Sequence, residues 1–146
     1  VPVLVSVPQL IGGGQVGLCI SDSIPVSQRC KRIAKMLSEA DVIVLTLPLT
    51  EDTYHLFNQK LFSKMKENAV LVSISRGAVI DGEALENVLL NKKIMGAVLD
   101  VFEDEPLKED SPLWDMENII ITPHNSYFSD KNGERLGDVI IKNLQS

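Results

Sequence analysis

From residue 41 onward, short apolar runs alternate with stretches that place apolar residues three and four apart. Residues 42–47 (VIVLTL) predict a buried strand, closed by Pro48-Leu49-Thr50. Asn58 is a good N-cap for a short helix over 59–66. Residues 69–75 (AVLVSIS) are apolar and rich in β-branched side chains without clear alternation, which predicts a strand covered on both faces of a parallel sheet. That run stops at Ser75-Arg76-Gly77, where Gly77 permits a tight turn. Asp81 then caps a helix over 81–91 with Leu85, Val88 and Leu89 inward. Residues 94–101 (IMGAVLDV) predict the next strand, with Gly96 and Ala97 small enough for a helix or ligand to approach closely. A loop rich in acids and prolines follows over 102–115, holding Glu103, Asp104, Glu105-Pro106 and the lone Trp114. Residues 119–122 make the last strand, stopped by Pro123-His124, and Ser129 caps a closing helix over 130–144. Strand and helix in alternation predict an α/β fold, a doubly wound parallel sheet.

The first forty residues read differently. Residues 1–11 (VPVLVSVPQLI) are β-rich, but Pro2 and Pro8 argue against one central strand. The following Gly12-Gly13-Gly14-Gln15-Val16-Gly17 satisfies G-x-G-x-x-G. In a dinucleotide-binding unit Gly12, Gly14 and Gly17 allow a tight turn, close approach to pyrophosphate and close helix–strand packing. The motif needs a helix opening at that point, so that its N–H groups face the phosphates. Pro25 limits any helix from Gln15 to about two turns, and a helical pattern begins only near Val26, with Ile33, Met36 and Leu37 on one face. Glu39, at the distance where a ribose-binding acid is sought, closes a helix rather than a strand. A phosphate cradle and a glycine-rich loop of no special function both stay open.

Composition narrows the class. At 146 residues the chain fits one domain, and 45% hydrophobic with 23% charged residues suits a soluble globular protein. The net charge of −6 argues against nucleic acid as partner. Cys19 and Cys30 lack metal or disulfide spacing, so a reducing cytoplasm is the default location. No apolar run reaches the roughly 18 residues of a membrane span. A start at Val1-Pro2 without Met or signal-peptide pattern reads as a fragment.

Three polar residues follow three predicted strands: Arg76, Glu105 and His124. If neighbouring strands are parallel, they share the edge where open α/β sheets bind ligands. The set suits reduction of a 2-oxo acid. Arginine would hold the carboxylate and polarise the carbonyl, histidine would move the hydroxyl proton, and the acid would orient the imidazole. The hydride requires a nicotinamide. Taken singly, each has a plainer role open to it: Arg76 tied to a loop acid, His124 capping a strand, Glu105 solvated, Asp100 capping a helix or turn.

The ordered set Ala40-Asp41-Val42, Leu47-Pro48-Leu49-Thr50, Ser75-Arg76-Gly77-Ala78-Val79-Ile80-Asp81, Leu99-Asp100-Val101-Phe102, Glu105-Pro106-Leu107, Ser111-Pro112-Leu113-Trp114 and Ile121-Thr122-Pro123-His124 resembles the NAD-binding domain of the D-isomer-specific 2-hydroxyacid dehydrogenase family. The resemblance covers roughly residues 38–146 and implies a Rossmann-like domain, here incomplete. It implies that Arg76 binds substrate, Glu105 pairs with the histidine, and His124 is the catalytic acid/base. Asp100 would contact the nicotinamide carboxamide, Leu47, Pro48 and Ser75 would line the cofactor, and Gly12, Gly14, Gln15, Val16 and Gly17 would form the phosphate loop. The cofactor would be NAD, with NADP open, and the partner a small 2-oxo or 2-hydroxy acid; pairing into a homodimer is also implied.

Three departures accompany it. The family places roughly twice as many residues between its glycine motif and the Ala-Asp-Val strand as lie between Gly17 and Asp41, so residues 1–37 read as a region with an internal deletion. The substrate domain is absent, and His124 is followed by Asn125-Ser126 rather than small apolar or glycine residues. The expectation is therefore a partial nucleotide-binding domain of an enzyme that exchanges a hydride between NAD(P)H and a 2-oxo acid. The alternative is a dinucleotide-binding or interaction module without turnover.

Overall fold

The computed structural model describes the backbone of residues 3–8, 15–20 and 26–145, and the side chains of 33–145. Among the described residues six strands, β1 (Val3–Pro8), β2 (Gln15–Ile20), β3 (Val42–Leu45), β4 (Val70–Ser73), β5 (Gly96–Leu99) and β6 (Ile119–Ile121), form one sheet in the order β2-β1-β3-β4-β5-β6. Four of them, β3, β4, β5 and β6, are parallel neighbours in chain order. Short helices α2 (Gln59–Phe62) and α3 (Gly82–Leu90) make the crossovers from β3 to β4 and from β4 to β5, and they pack against each other. The Rossmann-like α/β architecture expected from the alternation is present.

The beginning of the sheet departs from that expectation. β1 (Val3–Pro8) and β2 (Gln15–Ile20) form an antiparallel hairpin, and β1 pairs antiparallel with β3 through Val5–Leu45 and Ser6–Val44. The sheet is therefore mixed, and β1 is an interior strand. Pro8 sits at its last position, where a missing N–H costs the ladder least. The phosphate loop is corrected at the same place. Gln15, Val16 and Gly17 lie in β2, with Gly17 opposite Ser6, so no helix opens there. Val16, Leu18 and Ile20 alternate as a strand does, and Pro25 limits any helix that would start so early. Gly12 and Gly14 lie outside the described residues. α1 (Val26–Glu39) begins where the helical pattern begins.

Burial also alternates along β3 and β4, correcting the expectation of strands covered on both faces. Ile43, Leu45, Leu71, Ala97 and Leu99 are buried in a core shared with Leu85, Val88 and Leu89 of α3, Phe57, Phe62, and Ile33 and Leu37 of α1. Val42, Val44, Val70, Val72 and Val98 on the other face are half-buried, and Ile120 is exposed. Valine and isoleucine occupy both faces, which hides the alternation from a sequence pattern.

Side-chain caps set several boundaries. Asn58 Oδ1 accepts from the N–H groups of Lys60 and Leu61 at 3.1 and 3.4 Å, and Asp81 Oδ1 accepts from Ala84 N–H at 3.1 Å. α2 stops at Phe62, short of the predicted 66, because Ser63 Oγ donates to Lys60 O and the next N–H groups bond three residues back. At Gly96 an added Cβ would stand 2.3 Å from the Asn118 carbonyl oxygen, so the close neighbour is adjoining chain rather than helix or ligand. The closing helix α4 (Asn132–Leu144) starts two residues later than predicted; Ser129 Oγ bonds the Asn132 side chain instead of a helix N–H. None of its side chains is buried, and Leu136, Val139, Ile140 and Leu144 are exposed.

Candidate active site

The carboxyl ends of β4, β5 and β6 face one edge of the sheet, because the three strands are parallel and adjacent. Arg76 follows β4 and immediately precedes the 3-10 turn Gly77–Val79. It is exposed, and one guanidinium nitrogen donates to the Ser75 carbonyl at 2.8 Å. Among the described residues no carboxylate lies within ion-pair distance of it, so the loop-acid tie is not its role. Ser75 beneath it is buried, and its hydroxyl has no hydrogen-bond partner among the described residues. Leu47, past the end of β3, is buried, and Pro48 beside it is exposed. Thr53 Oγ1 donates to the Pro48 carbonyl and accepts from Thr50 N–H, both at 2.8 Å, closing this loop on itself.

Glu105 and His124 are brought together. Glu105 Oε2 lies 2.7 Å from His124 Nδ1, and Glu105 Oε1 accepts from Phe102 N–H at 3.0 Å. The hydrogen bond with His124 holds the Glu105 carboxyl below its ordinary range; burial opposes this, and the Phe102 N–H adds to it. With Nδ1 engaged, the imidazole turns Nε2 outward from a ring that is 41% exposed. His124 itself has a left-handed backbone, φ 50°, with its N–H donating to the Thr122 carbonyl. A β-substituted residue held in that region is uncommon and concentrates at functional sites.

Asp100 accounts for part of that conformation. It is fully buried at the end of β5, and its oxygens accept from Thr122 Oγ1 at 2.6 Å and from the N–H groups of Asn125 and Ser126 at 2.9 Å. Burial alone would raise its carboxyl, but these bonds outweigh burial and hold it well below the usual carboxylate range. Asp100 therefore caps the turn that follows His124, the plainer of its two sequence readings. A cavity of about 330 Å³ adjoins the pair, walled by Glu105, Pro106, Leu107, Trp114, Pro123 and His124. A larger depression of about 580 Å³ lies between α3 and the 101–113 loop and touches neither Arg76 nor His124.

The loops are fitted together at backbone distance. A Cβ on Gly77 would stand 1.8 Å from the Phe102 carbonyl oxygen and 2.4 Å from Glu103 N, so only glycine lets the two loops meet. His55 N–H and Phe57 N–H donate to the Ala78 and Val79 carbonyls, stitching a third loop to the same turn. Sequence reasoning missed these supports. Thr53 and His55 stand in a polar loop with no motif of their own, and Glu103 is one acid among several.

As for the cofactor, the residues present divide. At the sheet edge the residues fit a planar ring: Pro48 and Arg76 are exposed, and the buried Ser75 hydroxyl has no hydrogen-bond partner among the described residues. At the pyrophosphate end Gln15–Gly17 do not fit, since their strand offers no helix N-terminus.

Residues 21–126 match the family model described as D-isomer specific 2-hydroxyacid dehydrogenase, NAD binding domain. The glycine motif precedes that match. A glyoxylate reductase of Korarchaeum cryptofilum is 41% identical over 112 residues, covering 77% of this chain but 34% of that protein. A D-isomer specific 2-hydroxyacid dehydrogenase family protein of Aeromonas salmonicida superposes with a TM-score of 0.71 at 43% identity, covering 78% of this chain and 36% of that one. A D-isomer specific 2-hydroxyacid dehydrogenase of Xanthobacter autotrophicus, solved with NADPH and MES, superposes with a TM-score of 0.63 at 38% identity, covering 64% and 30%. The chain thus spans about a third of the length of these relatives. With a match over most of its length and the parallel sheet that this domain requires, the chain belongs to the D-isomer-specific 2-hydroxyacid dehydrogenase family, as its NAD-binding domain.

Proposed function

We propose that this chain supplies the nucleotide-binding half and the proton-transfer residues of an NAD(P)-dependent reductase of small 2-oxo acids, of the glyoxylate and hydroxypyruvate class. The observation that carries the reading is the 2.7 Å Glu105–His124 pair at the carboxyl edge of the parallel strands. Glu105 fixes the ring by Nδ1, leaving Nε2 as the site that gives a proton to the developing alkoxide or takes it back. Arg76 stands two strands away, about 10 Å by ordinary strand spacing, and its guanidinium, anchored on the Ser75 carbonyl and free of carboxylate partners among the described residues, suits the substrate carboxylate. Nicotinamide, when bound, would supply the hydride; Pro48 and Ser75 would line it, and His124 would move only the proton.

A reading without turnover also has an observation in its favour: Gln15–Gly17 run in a strand, where a phosphate loop is wanted. Titration of the chain with NADH and NADPH, followed by nicotinamide fluorescence and melting temperature together, tests cofactor binding. Saturable binding with a raised melting temperature supports the proposal. No binding at millimolar cofactor would leave a family remnant. In the protein with its substrate domain, Arg76→Ala should lower kcat/KM for glyoxylate by about 10²-fold or more with little change in melting temperature. An unchanged kcat/KM would remove Arg76 from the substrate site.

A further inference from the structure

We propose that His55 is a positioning residue that sets the geometry of the Glu105–His124 pair through Glu103; this rests on the reading of that pair given above. His55 Nε2 lies 2.6 Å from Glu103 Oε1, across 48 residues of sequence. It forms the second histidine–carboxylate pair at this edge of the sheet. His55 is held at three points: its ring stacks on Tyr54 at 4.0 Å and 14°, its N–H donates to the Ala78 carbonyl, and its side chain meets Glu103. Its backbone is left-handed, φ 48°, a conformation that a β-substituted residue keeps only where surrounding contacts enforce it.

Glu103 is clamped from the other side as well, since the Phe102–Glu103 peptide rests directly on Gly77. The same Phe102 presents its N–H to Glu105 Oε1, and the opposite oxygen of Glu105 meets His124. A continuous series of contacts thus runs from His55 to Glu103, along one peptide to Phe102, then to Glu105 and the imidazole. Glu105 is an exposed loop residue with an exposed loop on either side. The His55–Glu103 tie adds a side-chain anchor to the Gly77 contact and to the packing of Phe102 against the core, which together keep the Phe102 N–H in register with its carboxylate. An exposed pair of this kind contributes little to stability, so its value lies in where it puts the loop.

The test is the imidazole ¹⁵N spectrum of His124 in the full chain at alkaline pH, which reports which ring nitrogen carries the proton. Glu105→Ala sets the reference for an unoriented ring. His55→Phe, and independently Glu103→Ala, are expected to lose the Nδ1–H form and move toward that reference. Glu103→Gln keeps an acceptor oxygen for His55 and should retain the wild-type pattern. A merely structural tie would lower the melting temperature and leave the His124 spectrum alone. Wild-type spectra in both folded variants overturn the proposal, and Glu103→Ala decides it alone if His55→Phe does not fold. Should Glu105→Ala itself leave His124 unchanged, it is the reading of the Glu105–His124 pair that fails, and the role of His55 falls with it.

Discussion

At the scale of single residues, small spaces and shared protons decide the site. Gly77 shows the first. Its missing Cβ is where the Phe102 carbonyl sits, so Gly77→Ala must push two backbones apart. We expect a loss of about 2–4 kcal/mol in urea denaturation, together with loss of the Glu105–His124 bond. Glu105 shows the second. Its folded-state carboxyl lies below its unfolded value, so the stability it contributes is present above the ordinary glutamate range and lost as pH falls through the folded value. Wild type should therefore lose stability between roughly pH 5 and pH 3 relative to Glu105→Gln. The side chain is 36% exposed and screened by water, which holds the difference to about 1 kcal/mol or less. Comparing urea midpoints of the two proteins across that range checks the sign. Arg76 and His124 were legible as chemistry because each polar residue follows an apolar run. Asp100 was legible as a helix or turn cap but not as the cap of this turn, because the Asn125 and Ser126 N–H groups that engage it lie 25 and 26 residues away.

At the scale of elements, local chemistry was readable wherever one side chain sets a boundary. Asn58 and Asp81 mark their helix starts by the hydrogen bonds that make them good caps. Residues 15–20 show the limit of such reading: a glycine pattern and a strand pattern share the same letters, and pairing with β1 selects the strand. The C-terminus of α3 offers a test. Lys92, just past it, has φ 50°, and Lys93 N–H returns to the Val88 carbonyl, the closing bond of a left-handed cap where glycine is usual. Lys92→Gly removes the Cβ penalty and should raise stability by about 0.5–1 kcal/mol, read as a higher melting temperature.

At the scale of the whole molecule, the parallel sheet β3–β6 and its helices carry the fold, while α4 adds a helix that buries nothing. Deleting residues 130–146 should change the unfolding free energy of the remainder by less than about 0.5 kcal/mol, measured by urea titration. A larger loss would mean that α4 is docked in solution. Among the described residues no helix is long and apolar enough to cross a membrane. The contact between Gly77 and the Phe102–Glu103 peptide also has a bearing on how the molecule is made. Arg76 leaves the ribosome well before Glu105 and His124, and their strands find each other only through β5. Arg76, Glu105 and His124 therefore share one edge only in a chain whose β5 is paired with both β4 and β6.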